Sequence, residues 1–389
     1  MSGIPDRIAA DLYLLPGTAS FPGDAAGRPL EQVLLTGATG FVGVYLLREL
    51  LARTDADIHC LMRAPDRAAG LARLAAASAR YGLDLAPLAH RVRILPGDLT
   101  APRCGLAAAD WDGLADNLEA IVHNGAQLNF VRPYESMRAA NVDATRWLLL
   151  LAAEAACGVS QVSTVMTITV RGGVDRQGRE RLLETDPPPA FDELDAGYGQ
   201  SKWAAERLVE MASAAGVPSR ILRVGPVIGD ARAGHAPDEQ VQQRLTAASV
   251  AAGVLPAPRG PIDMVPVEFI AQATVALTVA EKEGVFHLVN PEPLTGAGLR
   301  DSIRRLGLRL DIVPFEAWLT RMRAAAAADP AHPLGALLAN DELASGIREL
   351  GYRLPVFDCS RTTAALTGTG IVCPPPDDTL VARLLQVTP

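Results

Sequence analysis

The chain has 389 residues, a formal net charge of −8, 49% apolar residues and 21% charged ones. This balance excludes a disordered or membrane-embedded chain, and an acidic total without any Lys/Arg run excludes a general nucleic-acid binder. The length suits one large domain or two joined ones.

Residues 1–30 are rich in Pro, Gly and Ala without a period and read as an N-terminal arm or linker. They lack a basic start followed by an apolar run, so no secretory signal is visible. From Gln32 short apolar runs alternate with helical segments. In order these are "VLLTG", a helix from Val42 to about Arg53, "IHCLM", a helix from about Arg67, "RVRILPGD", "AIVHNGA", a helix from about Asn141, "QVSTVMTITV", a helix from Lys202, and "SRILRVG". This rhythm predicts an α/β fold of the Rossmann type, a doubly wound parallel sheet with right-handed crossovers. Asp230–Pro261 carries no strand signal, then "MVPVEFIAQATVAL" and "GVFHLVN" resume the pattern, and the tail from Pro293 reads as mostly helical. The expected division is a nucleotide-binding domain from 31–229 and 263–292, with a smaller, mostly helical substrate domain interleaved from 230–262 and 293–389.

The first strand runs into "TGATGFVG", where Gly37, Gly40 and Gly43 have the spacing and context of a dinucleotide fingerprint. Gly37 allows the tight turn, Gly40 lets backbone N–H groups approach a pyrophosphate, and Gly43 lets the helix sit close to the sheet. Thr36, Thr39, Phe41 and Val42 lie in the same loop and are counted with it. The second strand, Ile58–Met62, ends at Arg63 where an NAD binder places an acid, while Asp57 precedes the strand. Arg63, with Arg73 as a second clamp, suits a 2′-phosphate, so NADPH is expected over NADH. Asp98 and Leu99 would lie beside the adenine, Asn124, Gly125 and Ala126 against the middle of the cofactor, and Gly225, Pro226 and Val227 complete the cofactor side. Tyr198 and Lys202, four residues apart on one helix face, follow Thr164 of the fifth strand, and the three form the candidate catalytic set. Six scattered histidines without ligand spacing give no reason to expect a metal. "WLLLLAAEAACGV" is interrupted by Glu154 and too short to span a bilayer, so no membrane partner is expected. Cys60, Cys104, Cys157, Cys359 and Cys373, without C-x-x-C, read as reduced thiols of a cytoplasmic protein.

"TGATGFVG" with Tyr198-x-x-x-Lys202 and an upstream Thr resembles an extended short-chain dehydrogenase/reductase. More narrowly, "VHNGAQLNF", "PYESMRAANVDAT", "VSTV", "GYGQSKWAAERL", "IDMVPVEFI", "FHLVNP" and "FDCSRTTAALTGTGIVCPP" resemble the terminal thioester reductase domains of nonribosomal peptide and polyketide synthetases, to which carboxylic acid reductases are related. The similarity runs from about residue 32 to the C-terminus. "RVGPVIGDARAG" departs from the family's Arg-Pro-Gly opening, and Gln127 occupies a usually apolar place. The resemblance implies NADPH-dependent hydride delivery to a thioester on a carrier protein's phosphopantetheine arm, giving an aldehyde and then an alcohol if a second hydride follows. Thr164 and Tyr198 would bond the oxyanion, and Lys202 would bond the nicotinamide ribose and lower the phenol's pKa. The chain would act as a monomer or as part of a megasynthase. Arg300, Arg304, Arg305 and Arg309, in one segment expected to be helical, form a candidate docking face for an acidic carrier. Competing readings are another extended reductase or epimerase, a non-catalytic NADP sensor, and a cyclising relative that releases chains without redox.

Overall fold

The computed structural model describes residues 6–21, 29–129, 132–169, 181–194, 197–231, 235, 241–258, 260–328, 338 and 355–387. Of the stretches quoted above, Phe130, Val170 and Arg232–Gly234 lie outside these residues, as do parts of 1–30, 230–262 and 293–389. Seven strands, β1 Gln32–Thr36, β2 Asp57–Met62, β3 Val92–Pro96, β4 Ala120–His123, β5 Gly158–Thr164, β6 Ser219–Val224 and β7 Gly284–Leu288, form one sheet. Every pairing is parallel, and the order across the sheet is β7-β6-β5-β4-β1-β2-β3. Each step between successive strands carries a helix: α1 Phe41–Arg53, α2 Arg67–Arg80, α3 Ala108–Asn117, α4 Ala144–Glu154, α5 Gly197–Ala214 and α6 Val267–Val279.

Burial on both faces explains the unbroken apolar runs. In β1, Val33 and Leu35 enter one apolar layer with residues of α1 and α6, while Leu34 enters the other with residues of α4 and α5. This is the expected doubly wound sheet. The chain leaves β1 and β4 in opposite directions, which opens a crevice at their carboxyl ends, where ligands of such sheets bind.

The local boundaries differ from expectation in ways that have physical causes. Helix α5 begins at Gly197, five residues before Lys202, so Tyr198 stands in its first turn. A Cβ at Gly197 would lie 2.5 Å from the carbonyl oxygen of Arg132, so only glycine lets the helix start so close to that backbone. The helix expected from Asn141 starts at Tyr134 behind Pro133 and passes through a π-turn, Ala139–Asp143, into α4. The fifth strand stops at Thr164 because its hydroxyl caps the turn Val165–Thr167, accepting from the Met166 N–H at 3.3 Å. In the region expected to lack strands, Val254–Pro256 pairs with Asp311–Val313, and within the tail Val356–Phe357 pairs with Arg181–Leu182. Strands of two or three residues are too short for alternation to register in sequence. Arg309 lies beyond the end of α7, Gly296–Arg305, so the basic segment is only partly helical.

All five cysteines are free and buried. Among the described residues no helix is long and apolar enough to cross a membrane.

Two glycines give opposite expectations for the same substitution. A Cβ on Gly43 would lie 1.9 Å from the Gly37 carbonyl oxygen, whereas one on Gly113 in α3 meets nothing within 4 Å. Gly43→Ala should destabilise the protein by about 1–3 kcal/mol or more through the backbone clash, and Gly113→Ala should stabilise it by about 0.5–1 kcal/mol. Denaturant titration of the two variants beside the parent checks both signs.

Candidate active site

Gly37 adopts φ +72°, and a Cβ there would lie 2.8 Å from Gly125 Cα. A Cβ on Gly125 would in turn meet Leu99 at 2.7 Å. The ends of β1 and β4 and the Leu99 loop therefore close on one another through absent side chains. Gly40 differs: an added Cβ would meet no atom nearer than 3.4 Å, and as the N-cap of α1 it offers no side-chain cap. The first N–H groups of a 13-residue helix are thus left to an outside acceptor, which fits a pyrophosphate. Asn124 donates to the Gly37 carbonyl at 3.4 Å, while Ala126 is exposed just beyond.

The carboxyl end of β2 carries Arg63, and Arg73 of α2 donates to the Arg63 carbonyl at 2.8 Å, so the two arginines occur together and exposed. Thr100 N–H and the nearby Arg63 hold Asp98 below the usual carboxylate range. Asp57 sits at the opposite end of β2 and pairs with Arg93 at 2.9 Å.

Helix α5 lies against β5 and the turn after it, and a Cβ on Gly199 would be 3.5 Å from the Met166 carbonyl. Thr164 and the start of α5 are brought together in this way. Tyr198 and Lys202 are both buried, at 8% and 2% exposure. Burial pushes the Tyr198 phenol up to about 12, which favours its protonated form. Lys202 donates to the Val162 carbonyl at 2.7 Å, and burial pushes it down to about 8 against the charge of Glu206.

A relay that the sequence reading missed joins the glycine loop to this helix. Gly125 N–H donates to Thr36 Oγ1 at 2.8 Å, and Thr36 lies 2.8 Å from His123 Nδ1. His123 Nε2 is 3.2 Å from Thr145 Oγ1, which donates to the Asn141 carbonyl at 2.7 Å. Burial, then the charge of Lys202, push His123 down to about 3. A neutral ring with its proton on Nε2 satisfies every member. The Asn141 carboxamide accepts from Gln127 N–H at 2.7 Å and reaches Ser201 Oγ at 2.9 Å, and Ser201 donates to the Tyr198 carbonyl at 2.8 Å. The available signal was the polar Asn141 and Thr145, one helical turn apart in "AANVDATRWLLLL", since buried polar side chains persist where they are bonded. Two of the four arginines of the basic segment are paired with carboxylates. Arg304 bonds Asp301 at 3.1 Å, and Arg305 holds Asp378 through two bonds of 2.8 and 2.7 Å.

An NAD-binding family described as male sterility protein matches residues 35–274. The chain belongs to that family. It is also similar to a solved structure, the terminal R domain from the myxalamid PKS-NRPS biosynthetic pathway, with 35% identity and a TM-score of 0.88 across 98% of this chain and 96% of that one. It is therefore an oxidoreductase domain of the extended short-chain reductase type with an NAD(P)-binding fold. Curated relatives include a linear gramicidin synthase polypeptide of Brevibacillus parabrevis and isonitrile lipopeptide synthase of Streptomyces coeruleorubidus, each 35% identical over 99% of this chain. The chain spans only 8% and 26% of these two proteins.

In this reductase domain β6 runs into Gly225, whose N–H donates to the Leu288 carbonyl at 3.1 Å. A Cβ on Gly225 would lie 2.2 Å from Asp263 Oδ2. Asp263 Oδ1 accepts from Asn290 N–H at 2.9 Å, while Oδ2 is buried without a partner among the described residues. Burial pushes this carboxyl up to about 7. Below about pH 4 both folded and unfolded chains carry the proton; as pH rises toward 7 only the unfolded chain loses it, so stability falls by about 4 kcal/mol in total. Asp263→Asn removes that penalty. Its melting temperature relative to the parent should rise between about pH 4 and pH 7 and level off above that, and a difference independent of pH would contradict the assignment.

Proposed function

We propose that this chain uses NADPH to release an acyl or peptidyl chain from a carrier protein's phosphopantetheine arm, reducing the thioester to an aldehyde. The observation that carries this reading is the meeting of Thr164, buried Tyr198 and buried Lys202 beside the glycine loop, in a chain that matches a terminal R domain over nearly its whole length. Residues 31–229 and 263–292 would hold the cofactor, and 230–262 with 293–389 would receive the carrier-borne chain.

NADPH, when bound, supplies a hydride for the thioester carbonyl carbon. Tyr198 comes to the reaction protonated and donates to the carbonyl oxygen as charge develops there. Thr164 Oγ1 already accepts from Met166 N–H, which directs its own hydrogen away from that turn as a second donor to the same oxygen. Lys202 is held by the Val162 carbonyl at the height of the fifth strand's end, where its ammonium stabilises the phenolate left behind. The resulting hemithioacetal breaks its C–S bond: the sulfur leaves with a proton as the carrier thiol, and the hydroxyl becomes the aldehyde carbonyl. Retention of both Tyr198 and Lys202 favours reduction over redox-free cyclisation. Arg63 and Arg73 would take the 2′-phosphate and Gly40 with the α1 N–H groups the pyrophosphate.

Two measurements test the reading. Tyr198→Phe should lower turnover of a carrier-bound thioester about 10²–10⁴-fold while NADPH affinity stays nearly unchanged; near-normal turnover would remove Tyr198 from its role. Arg63→Glu should raise KM for NADPH by about tenfold or more and leave that for NADH little altered, since one charge-assisted phosphate bond is worth roughly 1.5–3 kcal/mol. Equal effects on both cofactors would count against the 2′-phosphate assignment.

A further inference from the structure

The face of α5 that carries Tyr198 and Lys202 carries Glu206 one turn further on, and Glu206 is 0% exposed. One of its oxygens, Oε1, accepts from Ser163 Oγ at 2.6 Å and from Thr167 Oγ1 at 2.8 Å. These two hydroxyls flank Thr164, one from the end of β5 and one from the turn beyond it. The one Thr167 hydroxyl hydrogen is shared between Glu206 Oε1 and the Thr164 carbonyl, 2.9 Å away, so the turn is tied to itself and to the helix through the same group. The other oxygen, Oε2, is gripped by Arg223 of β6 through Nη2 at 2.8 Å and Nε at 3.1 Å. Arg223 Nη1 lies 3.5 Å from His287 Nε2, and His287 Nδ1 donates to the Asp358 carbonyl at 2.7 Å, which anchors the carboxylate in turn to β7 and the C-terminal segment.

We propose that Glu206 is a positioning residue for this reaction: through Ser163 and Thr167 its carboxylate sets where the Thr164 hydroxyl stands relative to Tyr198 and Lys202. Thr164 needs such a clamp because it ends a strand and caps a three-residue turn, and among the described residues its own hydroxyl makes one bond, of 3.3 Å. A strand end held on both sides by one buried, ion-paired oxygen cannot drift independently of the helix that carries the phenol. Glu206 also supplies negative charge to Lys202, which faces Tyr198 and Glu206 on its own helix, His123 from β4, and Arg223 from β6 behind Glu206. Burial alone would push the Glu206 carboxyl up, but Arg223 and the two hydroxyls hold it low, so the carboxylate stays ionised.

This inference rests on the proposed reductase reaction, and its test separates the two. Wild type, the double variant Ser163→Ala/Thr167→Ala and Glu206→Gln are compared for NADPH oxidation with a carrier-bound thioester and with a free aliphatic aldehyde. The methyl resonance of Thr164 in isotopically labelled protein is followed in parallel. The double variant keeps every charge and should lower kcat about tenfold or more, leave KM for NADPH and substrate within about twofold, and shift the Thr164 resonance. Glu206→Gln should do the same and also move the alkaline limb of kcat to lower pH, because Lys202 loses its nearest negative charge. A folded double variant with kcat within about twofold of wild type overturns the proposal whatever the resonance does. Should wild type turn over neither substrate, the reductase reading fails by itself, and an unmoved Thr164 resonance then overturns the positioning role. Should Glu206→Gln fail to fold, the double variant decides alone.

Discussion

The hydrogen bond between Thr36 Oγ1 and His123 Nδ1 ties the carboxyl ends of β1 and β4 at the one place where the sheet reverses its winding. Everything chemical in the molecule is arranged around that junction. Both side chains are buried, so each must find a partner for every polar atom or carry the cost of an unsatisfied group, about 1–3 kcal/mol. They do so only together, with Gly125 N–H on one side and Thr145 on the other. A charged imidazole would break the pattern, and burial beside Lys202 keeps the ring neutral. The relay then continues through Asn141 and Ser201 to the backbone of Tyr198, so the loop fitted to a pyrophosphate and the helix carrying the phenol are parts of one bonded body. The π-turn at Ala139–Asp143 places Asn141 within that body, in keeping with the frequent occurrence of such turns at functional sites.

A second constraint is charge in a dry interior. Lys202, Glu206 and Arg223 are all essentially inaccessible to water. Deleting one member of such a buried pair typically costs about 3–5 kcal/mol, because the other charge is left alone. The arrangement is therefore unforgiving, and it answers two needs at once. Arg223 and two hydroxyls keep Glu206 ionised, and Glu206 opposes the loss of Lys202's proton. Burial raises the Tyr198 phenol and keeps it protonated, which suits a proton donor. The glycines complete the site by what they lack: at 37, 43, 197 and 225 a methyl group would collide with backbone or with a carboxylate, and at 125 with the side chains of Leu99 and Thr36.

Much of this was legible in the chain. Runs of buried apolar residues separated by helical stretches specify a parallel sheet covered on both faces, and all seven of its strands were readable because each is four to seven residues long and mostly buried. The glycine spacing after β1, the arginine after β2, and the Tyr-x-x-x-Lys pair were visible as residue types at set distances. Strands of two or three residues were not, since they hold no period. Tyr198 and Lys202 could be placed on one helix face, but Gly197 reads as a helix breaker until the backbone of Arg132–Tyr134 is seen pressing against it. The basic segment around Arg304 looked like a free cationic face, yet its Asp301 and Asp378 partners, one nearby and one far along the chain, neutralise half of it.

What the sequence determined by itself was therefore the class of fold and the residue types at the crevice, because periodicity, glycine spacing and helical register are local properties of the chain. What only the tertiary structure decided was the state of those residues: that Tyr198 is a protonated phenol, that Lys202 answers to Glu206, that His123 is neutral, and that one carboxylate oxygen holds both flanks of Thr164. Ionisation and orientation depend on burial and on partners drawn from β4, β5, β6 and α5. Residues separated by 17 to 87 positions meet there only once the sheet has formed.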